Sequence, residues 1–298
     1  MIILAVESSC DETAVALVRD GRTVLADCIA SSVEMHRIYG GVGPEIASRK
    51  HIEGIAQLAD QALEQAGLSR GDIDAVAVTY APGLIGAVLV GVSFAKSVAY
   101  ALGVPLIPVH HVRGHIAANY LAHPDLEPPF VCLCVSGGTS LLVDVKGYTE
   151  MEILGATRDD AAGECFDKIA RVMGLGYPGG APLDRAAQGG NDKAFSLPRV
   201  HIQDAPLDMS FSGLKTAMLN LIHNAQQKGE ELPVADLAAS FSAAVSEELV
   251  PRTMAAAQAK GYGKVAVVGG VAANSVIRAD LHAACGKAGV RLFLPPLK

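Results

Sequence analysis

Four short runs hold the residues best suited to do chemistry. In His110-His111-Val112-Arg113-Gly114-His115, His111 and His115 stand at i and i+4. On a helix both imidazoles then face one side and can ligate one metal ion. A zincin protease needs Glu directly after the first histidine to activate water. That position is Val112 here, so a metallopeptidase is disfavoured on chemistry. Val135-Ser136-Gly137-Gly138-Thr139 reads as a turn in which paired glycines bare backbone N–H groups and let a phosphate approach, with two hydroxyls beside them. An ordinary hairpin turn has the same composition. Val268-Gly269-Gly270-Val271-Ala272-Ala273-Asn274 runs from a strand end into a helix. Its backbone can hold a nucleoside, and Asn274 can cap the helix as well. Finally, Glu7-Ser8-Ser9-Cys10-Asp11-Glu12-Thr13 is acidic, so it suits a metal or a proton acceptor better than a bare phosphate.

Two other matches fail. Gly174-Leu175-Gly176-Tyr177-Pro178-Gly179 spells GxGxxG, but it follows a helical pattern rather than a strand and contains a proline. Ser212-Gly213-Leu214-Lys215-Thr216 echoes a phosphate loop, but its lysine does not follow the glycine directly.

The elements that must position these runs repeat. Residues 2–7 are an apolar strand, followed by a polar turn and a second strand over 14–18. Residues 130–135 and 141–145 flank the glycine turn in the same way. A helical face over 52–66, built on Ile55, Leu58, Ala59, Ala62, Leu63 and Ala66, leads into a buried strand at 74–79 and a long Gly/Ala/Val helix. Residues 237–260 are helical, and lead into a strand at 264–268 and a helix from about Asn274. The pattern predicts a duplicated α/β unit with a mostly helical insertion at about 157–228. Two unrelated α/β domains that share common parts remain the alternative.

Composition narrows the function. The 298 residues hold 24 Lys plus Arg against 31 Asp plus Glu, a net charge of −7. That excludes a globally basic nucleic-acid coat but not a local basic patch. Tryptophan is absent and aromatics make up 5%, so no stacking platform for bases is evident. The six cysteines form no CxxC pair and read as reduced thiols of a cytoplasmic protein. The longest apolar stretch, residues 81–95, is broken by glycines and stops at Lys96, short of the roughly 20 residues of a membrane span. The sequence predicts a protein without a membrane segment.

Taken in order, residues 7–13, Ala81-Pro82-Gly83-Leu84, 110–115, 135–139, Gly176-Tyr177-Pro178-Gly179-Gly180, 210–216 and 269–274 resemble one family across the whole chain. It is the bacterial tRNA threonylcarbamoyladenosine transferase family, TsaD, once called glycoproteases. The resemblance implies an actin-like, Hsp70-like fold of ribonuclease-H-like lobes, with lobes at 1–109 and 110–298. It also implies transfer of the threonylcarbamoyl group from threonylcarbamoyl-adenylate to N6 of the adenosine beside the anticodon in tRNAs reading ANN codons. The implied partners are a TsaB-like paralogue and a TsaE-like ATPase.

By position, His111 and His115 match the family's metal ligands, with iron expected and zinc the second choice. Cys134, Val135, Ser136, Gly137 and Gly138 match its substrate loop. Asp167, Gly180, Asp184 and Asn274 match further contacts to the adenylate. Asp11 and Glu12 are the catalytic candidates. The family's third metal ligand is an Asp beyond the strand at 291–294; the sequence given ends at Lys298, and two imidazoles alone predict partial metal occupancy. A non-catalytic actin-like scaffold subunit is the competing function. Retention of the histidine pair and the glycine turn argues against it.

Overall fold

A computed structural model describes residues 1–37, 41–200 and 202–296. The chain divides into two compact units, Met1–Leu121 and Ala122–Lys298. The first contains β1 (Ile2–Glu7), β2 (Glu12–Arg19), β3 (Thr23–Ser31), the short helix α1 (Val33–Arg37), α2 (Pro44–Ala66), β4 (Ala75–Ala81), α3 (Ile85–Leu102), β5 (Leu106–His110) and α4 (His111–Ala122). Its five-stranded sheet runs β3-β2-β1-β4-β5. The β1–β2–β3 meander is antiparallel, and β4 and β5 continue parallel to β1.

The second unit contains β6 (Phe130–Val135), β7 (Ser140–Val145), β8 (Met151–Ala156), α5 (Ala162–Val172), α6 (Gly180–Ala186), α7 (Ser212–Lys228), α8 (Val234–Lys260), β9 (Lys264–Val268), α9 (Ser275–Ala288) and β10 (Arg291–Phe293). Its sheet order, β10-β9-β6-β7-β8, is the first sheet's order strand for strand. β6 pairs antiparallel with β7 and parallel with β9. Equal strand order, direction and connection establish the duplication and remove the alternative of two unrelated domains.

Side-chain alternation sets each sheet's faces. In β1, Leu4 and Val6 point into a core built with Ile55, Leu58 and Ala62 of α2 and Ala95 and Ala99 of α3. Ala5 and Glu7 point the other way, as the period of two requires. In β6, Val131, Leu133 and Val135 join Phe166, Phe241 and Leu249 in the second core.

Four features depart from the sequence reading. Each hairpin carries a third antiparallel strand, β3 or β8. The division between the units falls after α4 rather than at 109/110, because α4 is tied to the first sheet through His111 and Glu7. The 157–228 insertion holds three helices, yet residues 187–200 and 202–211 have little regular structure; Gly189, with φ at +77°, and two prolines interrupt them. Lastly, α3 is long and apolar enough by length and composition to cross a membrane, with a mean hydropathy of 1.7. Packing shows it to be a sheet-covering helix, since Ala87, Gly91, Ala95 and Ala99 are buried. Its outward side leaves Ile85 91% and Tyr100 92% exposed.

Candidate functional site

In the first unit the strand end and the helix start put three ionisable groups together. His111 opens α4 directly after β5, and the helical repeat stacks His115 over it. Their Nε2 atoms lie 3.0 Å apart, with the rings edge-to-face at 4.4 Å between centroids. Nδ1 of His111 faces Glu7 Oε2 at 3.1 Å and Ser9 Oγ at 3.0 Å. An ionised carboxylate only accepts, so the His111 proton sits on Nδ1 and Nε2 presents its lone pair.

Glu7 is itself held. Thr79 Oγ1–H donates to its Oε2 at 2.6 Å and Ser9 N–H to its Oε1 at 2.5 Å. Burial alone pushes the Glu7 carboxyl up, but hydrogen bonds from His111, Ser9 and Thr79 outweigh it and bring it to about 2. Burial first, then the neighbouring His111, lowers His115, which favours a neutral imidazole. Ala5, Ala14, Ala16, Ala77, Thr79 and Gly114 line a cavity of 310 Å³ beside these groups. Small side chains on this sheet face leave the space open.

These residues fit a metal in part. Two ligand nitrogens each about 2.1 Å from one ion stand roughly 3.0–3.4 Å apart, which the observed separation meets. A carboxylate on the far nitrogen of a ligating histidine is the usual orienting arrangement. Among the described residues no third His, Cys, Asp or Glu joins the pair.

The Glu7 network makes stability depend on pH. The carboxyl ordinarily titrates at 4.5 and in the folded chain at about 2. Its stabilisation is therefore complete above pH 4.5 and is lost as pH falls through that interval. The side chain is 35% exposed, so screening leaves about 1–2 kcal/mol. Glu7→Gln should lower urea-measured stability at pH 7 by that amount. The wild type should converge on the variant below pH 4.5; parallel pH profiles would refute the assignment.

In the second unit, Ser136–Thr139 closes the β6–β7 hairpin, with Ser136 N–H donating to Thr139 O at 2.8 Å. Two other glycines press onto this turn. A Cβ at Gly269, whose φ is +96°, would lie 2.2 Å from Val135 O, and one at Gly163 would lie 2.4 Å from Ser136 O. Gly137 and Gly138 are different. Each is exposed, has no positive φ, and would find open space around an added Cβ. The fold does not require glycine at either position.

Asn274 caps α9, its Oδ1 accepting from Val276 N–H and Ile277 N–H at 3.1 Å. The side chain is 7% exposed, and its Nδ2 is buried without a hydrogen-bond partner, a donor left for an acceptor outside the chain. Asp167 Oδ1 accepts from Gly179 N–H at 2.6 Å, and burial pushes its carboxyl up. Asp184 Oδ1 accepts from Ser275 N–H and Oγ–H at 2.9 and 2.8 Å. Gly180 opens α6 with free space at its Cβ position.

A family model for tRNA N6-adenosine threonylcarbamoyltransferase matches residues 23–298. The chain belongs to this transferase family. A protein of that name from Moorella thermoacetica is 56% identical over 294 residues, 99% of this chain and 86% of the relative. One from Clostridium botulinum strain 657 is 52% identical over the same shares. Family membership makes the chain an enzyme of tRNA modification.

Among solved structures, HypF from T. kodakarensis superposes with a TM-score of 0.66 at 17% identity, over 98% of this chain and 44% of HypF. Component A of the Acidaminococcus fermentans (R)-2-hydroxyglutaryl-CoA dehydratase gives 0.56 at 17%, over 100% of this chain and 92% of that one. The ROK hexokinase of Thermus thermophilus gives 0.52 at 15%, over 98% and 92%. These likenesses concern the fold, which is the actin-like ATPase fold.

Within this family framework, the expected site residues fall into distinct roles. His111 and His115 meet, and Ser136, Gly137 and Gly138 form one exposed turn. The side chains of Cys134 and Val135 are buried in β6, where Cys134 pairs with Leu141 and Val268. Asp167 and Asp184 each spend one oxygen inside the fold. Asp11 is half-buried and Glu12 exposed, and neither bonds to the histidines among the described residues; Glu7 does. The sequence marks the Glu7–Thr13 run as a whole but not the contact of Glu7 and Ser9 with His111, nor the parts of Thr79 and Gly163. The one available signal for Glu7 was a carboxylate ending an apolar strand.

Proposed function

We propose that threonylcarbamoyl-adenylate is the donor and that its adenylate part is held by the second unit. The reading rests on Gly137 and Gly138, two exposed glycines that the backbone does not need, beside the unsatisfied Asn274 amide. Backbone N–H groups of the turn suit a phosphate. The remaining Asp167 oxygen suits a ribose hydroxyl.

The acceptor is N6 of the adenosine beside the anticodon in tRNAs reading ANN codons. N6 attacks the carbamoyl carbon, AMP leaves with the bonding electron pair, and N6 gives up one proton. Asp11 or Glu12 takes that proton. His111 and His115 would hold one divalent metal, iron in first place and zinc in second, which would supply Lewis-acid polarisation of the carbamoyl carbonyl. Glu7 keeps His111 in the tautomer whose Nε2 is bare.

A TsaB-like paralogue and a TsaE-like ATPase complete the system in the cytoplasm. Support for the paralogue comes from α3, whose outward Ile85, Leu89 and Tyr100 are left in water. A chain of net charge −7 is poorly suited to neutralise many phosphates by itself. The isolated chain should therefore bind tRNA weakly, and adding the partners should tighten binding by about 10-fold or more. Binding titrations with unmodified tRNA, followed by transfer from threonylcarbamoyl-adenylate, test this. Tight, salt-sensitive binding by the lone chain overturns the partner reading, and failure of the complete mixture to modify adenosine overturns the donor.

A further inference from the structure

Two histidines outside the metal pair are wholly buried. His36 of α1 and His51 of α2 are each 0% exposed, and the reaction outlined above uses neither. Both converge on the backbone of the acidic loop between β1 and β2. Nε2 of His51 lies 3.0 Å from the Cys10 carbonyl oxygen and its Nδ1 lies 2.7 Å from Thr13 Oγ1. A carbonyl only accepts, so His51 carries its proton on Nε2 and accepts the hydrogen bond from Thr13 Oγ1–H on Nδ1.

His36 works one step removed. Gly43 N–H donates to its Nδ1 at 3.3 Å, which leaves the proton on Nε2, 3.0 Å from Ser32 Oγ. Ser32 Oγ–H then donates to the Asp11 carbonyl at 2.5 Å, and Ser32 N–H reaches the same oxygen at 3.1 Å. The preceding carbonyl, Ser9, accepts from Leu84 N–H at 2.8 Å. Three successive carbonyls are thus bound by donors from three separate parts of the chain, Leu84, His51 and Ser32. Above them, Cys10 and Glu12 stay exposed and Asp11 half-buried.

Loops between strands are ordinarily among the most mobile parts of a fold. Burying two imidazoles whose ring nitrogens all serve hydrogen bonds around one loop is an expensive way to build a plain connection. We infer that His51, and His36 acting through Ser32, are positioning residues that fix the backbone beneath Asp11 and Glu12 so that their carboxylates stand at one height for the transfer step. The inference rests on the reading that this loop takes part in the reaction.

Two readouts separate the pins from that reading. The first is the rate at which Ellman's reagent modifies the Cys10 thiol, the exposed cysteine among five buried ones, with Cys10→Ser as background. The second is steady-state transfer to tRNA in the presence of the partners. His51→Phe removes the donor to Cys10 and His51→Gln offers an amide N–H in its place, whereas Ser32→Ala removes the hydroxyl that links His36 to Asp11 and leaves the His36 ring itself in place.

For His51→Phe and Ser32→Ala, thiol modification should speed up by roughly 10-fold as the loop loosens. Transfer kcat should drop about 10-fold while KM for tRNA stays within about twofold, because loose positioning weakens the chemical step and leaves binding intact. His51→Gln should recover most of both. If His51→Phe does not fold, Ser32→Ala and His51→Gln decide alone. Unchanged thiol rates in folded variants overturn the pins, and faster thiol modification with unchanged kcat overturns their part in transfer. Asp11→Asn and Glu12→Gln variants that transfer as well as wild type overturn the reading of the loop itself, whatever the thiol shows.

Discussion

Gly137→Val will cost the chain roughly 100-fold in affinity for the adenylate donor while leaving its thermal transition in place, and Gly137→Ala will cost about 10-fold. An added Cβ at Gly137 meets nothing within 4 Å, and the residue has no positive φ. The fold therefore accepts a side chain there. A ligand lying on the turn does not, because the new methyl groups occupy the space where its phosphate meets backbone N–H groups. Forcing one to three methyl groups into a filled contact costs about 1–3 kcal/mol, which spans the two expected effects.

The same change made nearby supplies the contrast. Gly269→Ala puts a Cβ 2.2 Å from Val135 O at a φ of +96°. It should lower the melting temperature outright, through backbone clash and strain. Isothermal titration with a non-hydrolysable adenylate analogue, paired with calorimetry, measures both. Equal affinity for wild type and Gly137→Val, with both folded, removes the turn from the binding site. If Gly269→Ala binds poorly only because it melts, the distinction between ligand glycines and fold glycines is upheld.

That distinction was not legible in the sequence. Gly137, Gly138, Gly163 and Gly269 look alike in a row of letters. Only the approach of Val135 O and Ser136 O separates the two that the chain needs from the two it can spare. The duplication was legible, because strand–turn–strand patterns at 2–18 and 130–145 and the strands at 74–79 and 264–268 depend on local alternation alone. The third strands were not. β3 has exposed Val24 and Ile29, and Glu152 and Ile153 of β8 are exposed as well. An edge strand, paired on one side only, shows a weaker apolar period.

The histidine pair was legible for the opposite reason. A spacing of four on a helix fixes proximity without any tertiary information. Glu7 is joined to His111 across 104 residues by the parallel register of β1, β4 and β5, a relation that no local pattern records. Asn274 was legible as a cap, but the burial of its unpartnered Nδ2 depends on the tertiary fold.

The largest effect on turnover should come from that pair. His111→Ala and His115→Ala should each lower metal content after purification and lower transfer by about 100-fold or more. Glu7→Gln should be intermediate, reducing metal affinity by about 10–100-fold, since a carboxylate that orients a ligating imidazole typically contributes that much. The order follows from the geometry. Removing a ring deletes a ligand. Removing the Glu7 charge leaves both rings in place, but the proton of His111 is no longer held on Nδ1 at 3.1 Å, and the bare Nε2 is no longer guaranteed.

His115 should lose no more than His111, because burial already keeps it neutral and it has no carboxylate to fix its tautomer. Metal analysis by plasma emission, with donor and tRNA affinities measured alongside, separates this from misfolding: binding of the adenylate analogue should survive in all three variants, since the contacts proposed for it lie in the second unit. Full metal content in both histidine variants would show that the ion binds elsewhere. Normal transfer by a metal-free double variant would remove the metal from the reaction, and Glu7 would then be left as a strut between β1 and α4. If Glu7→Gln instead falls as far as the ring deletions, the carboxylate has a larger part than orienting His111, and direct ligation by Glu7 becomes the arrangement to test.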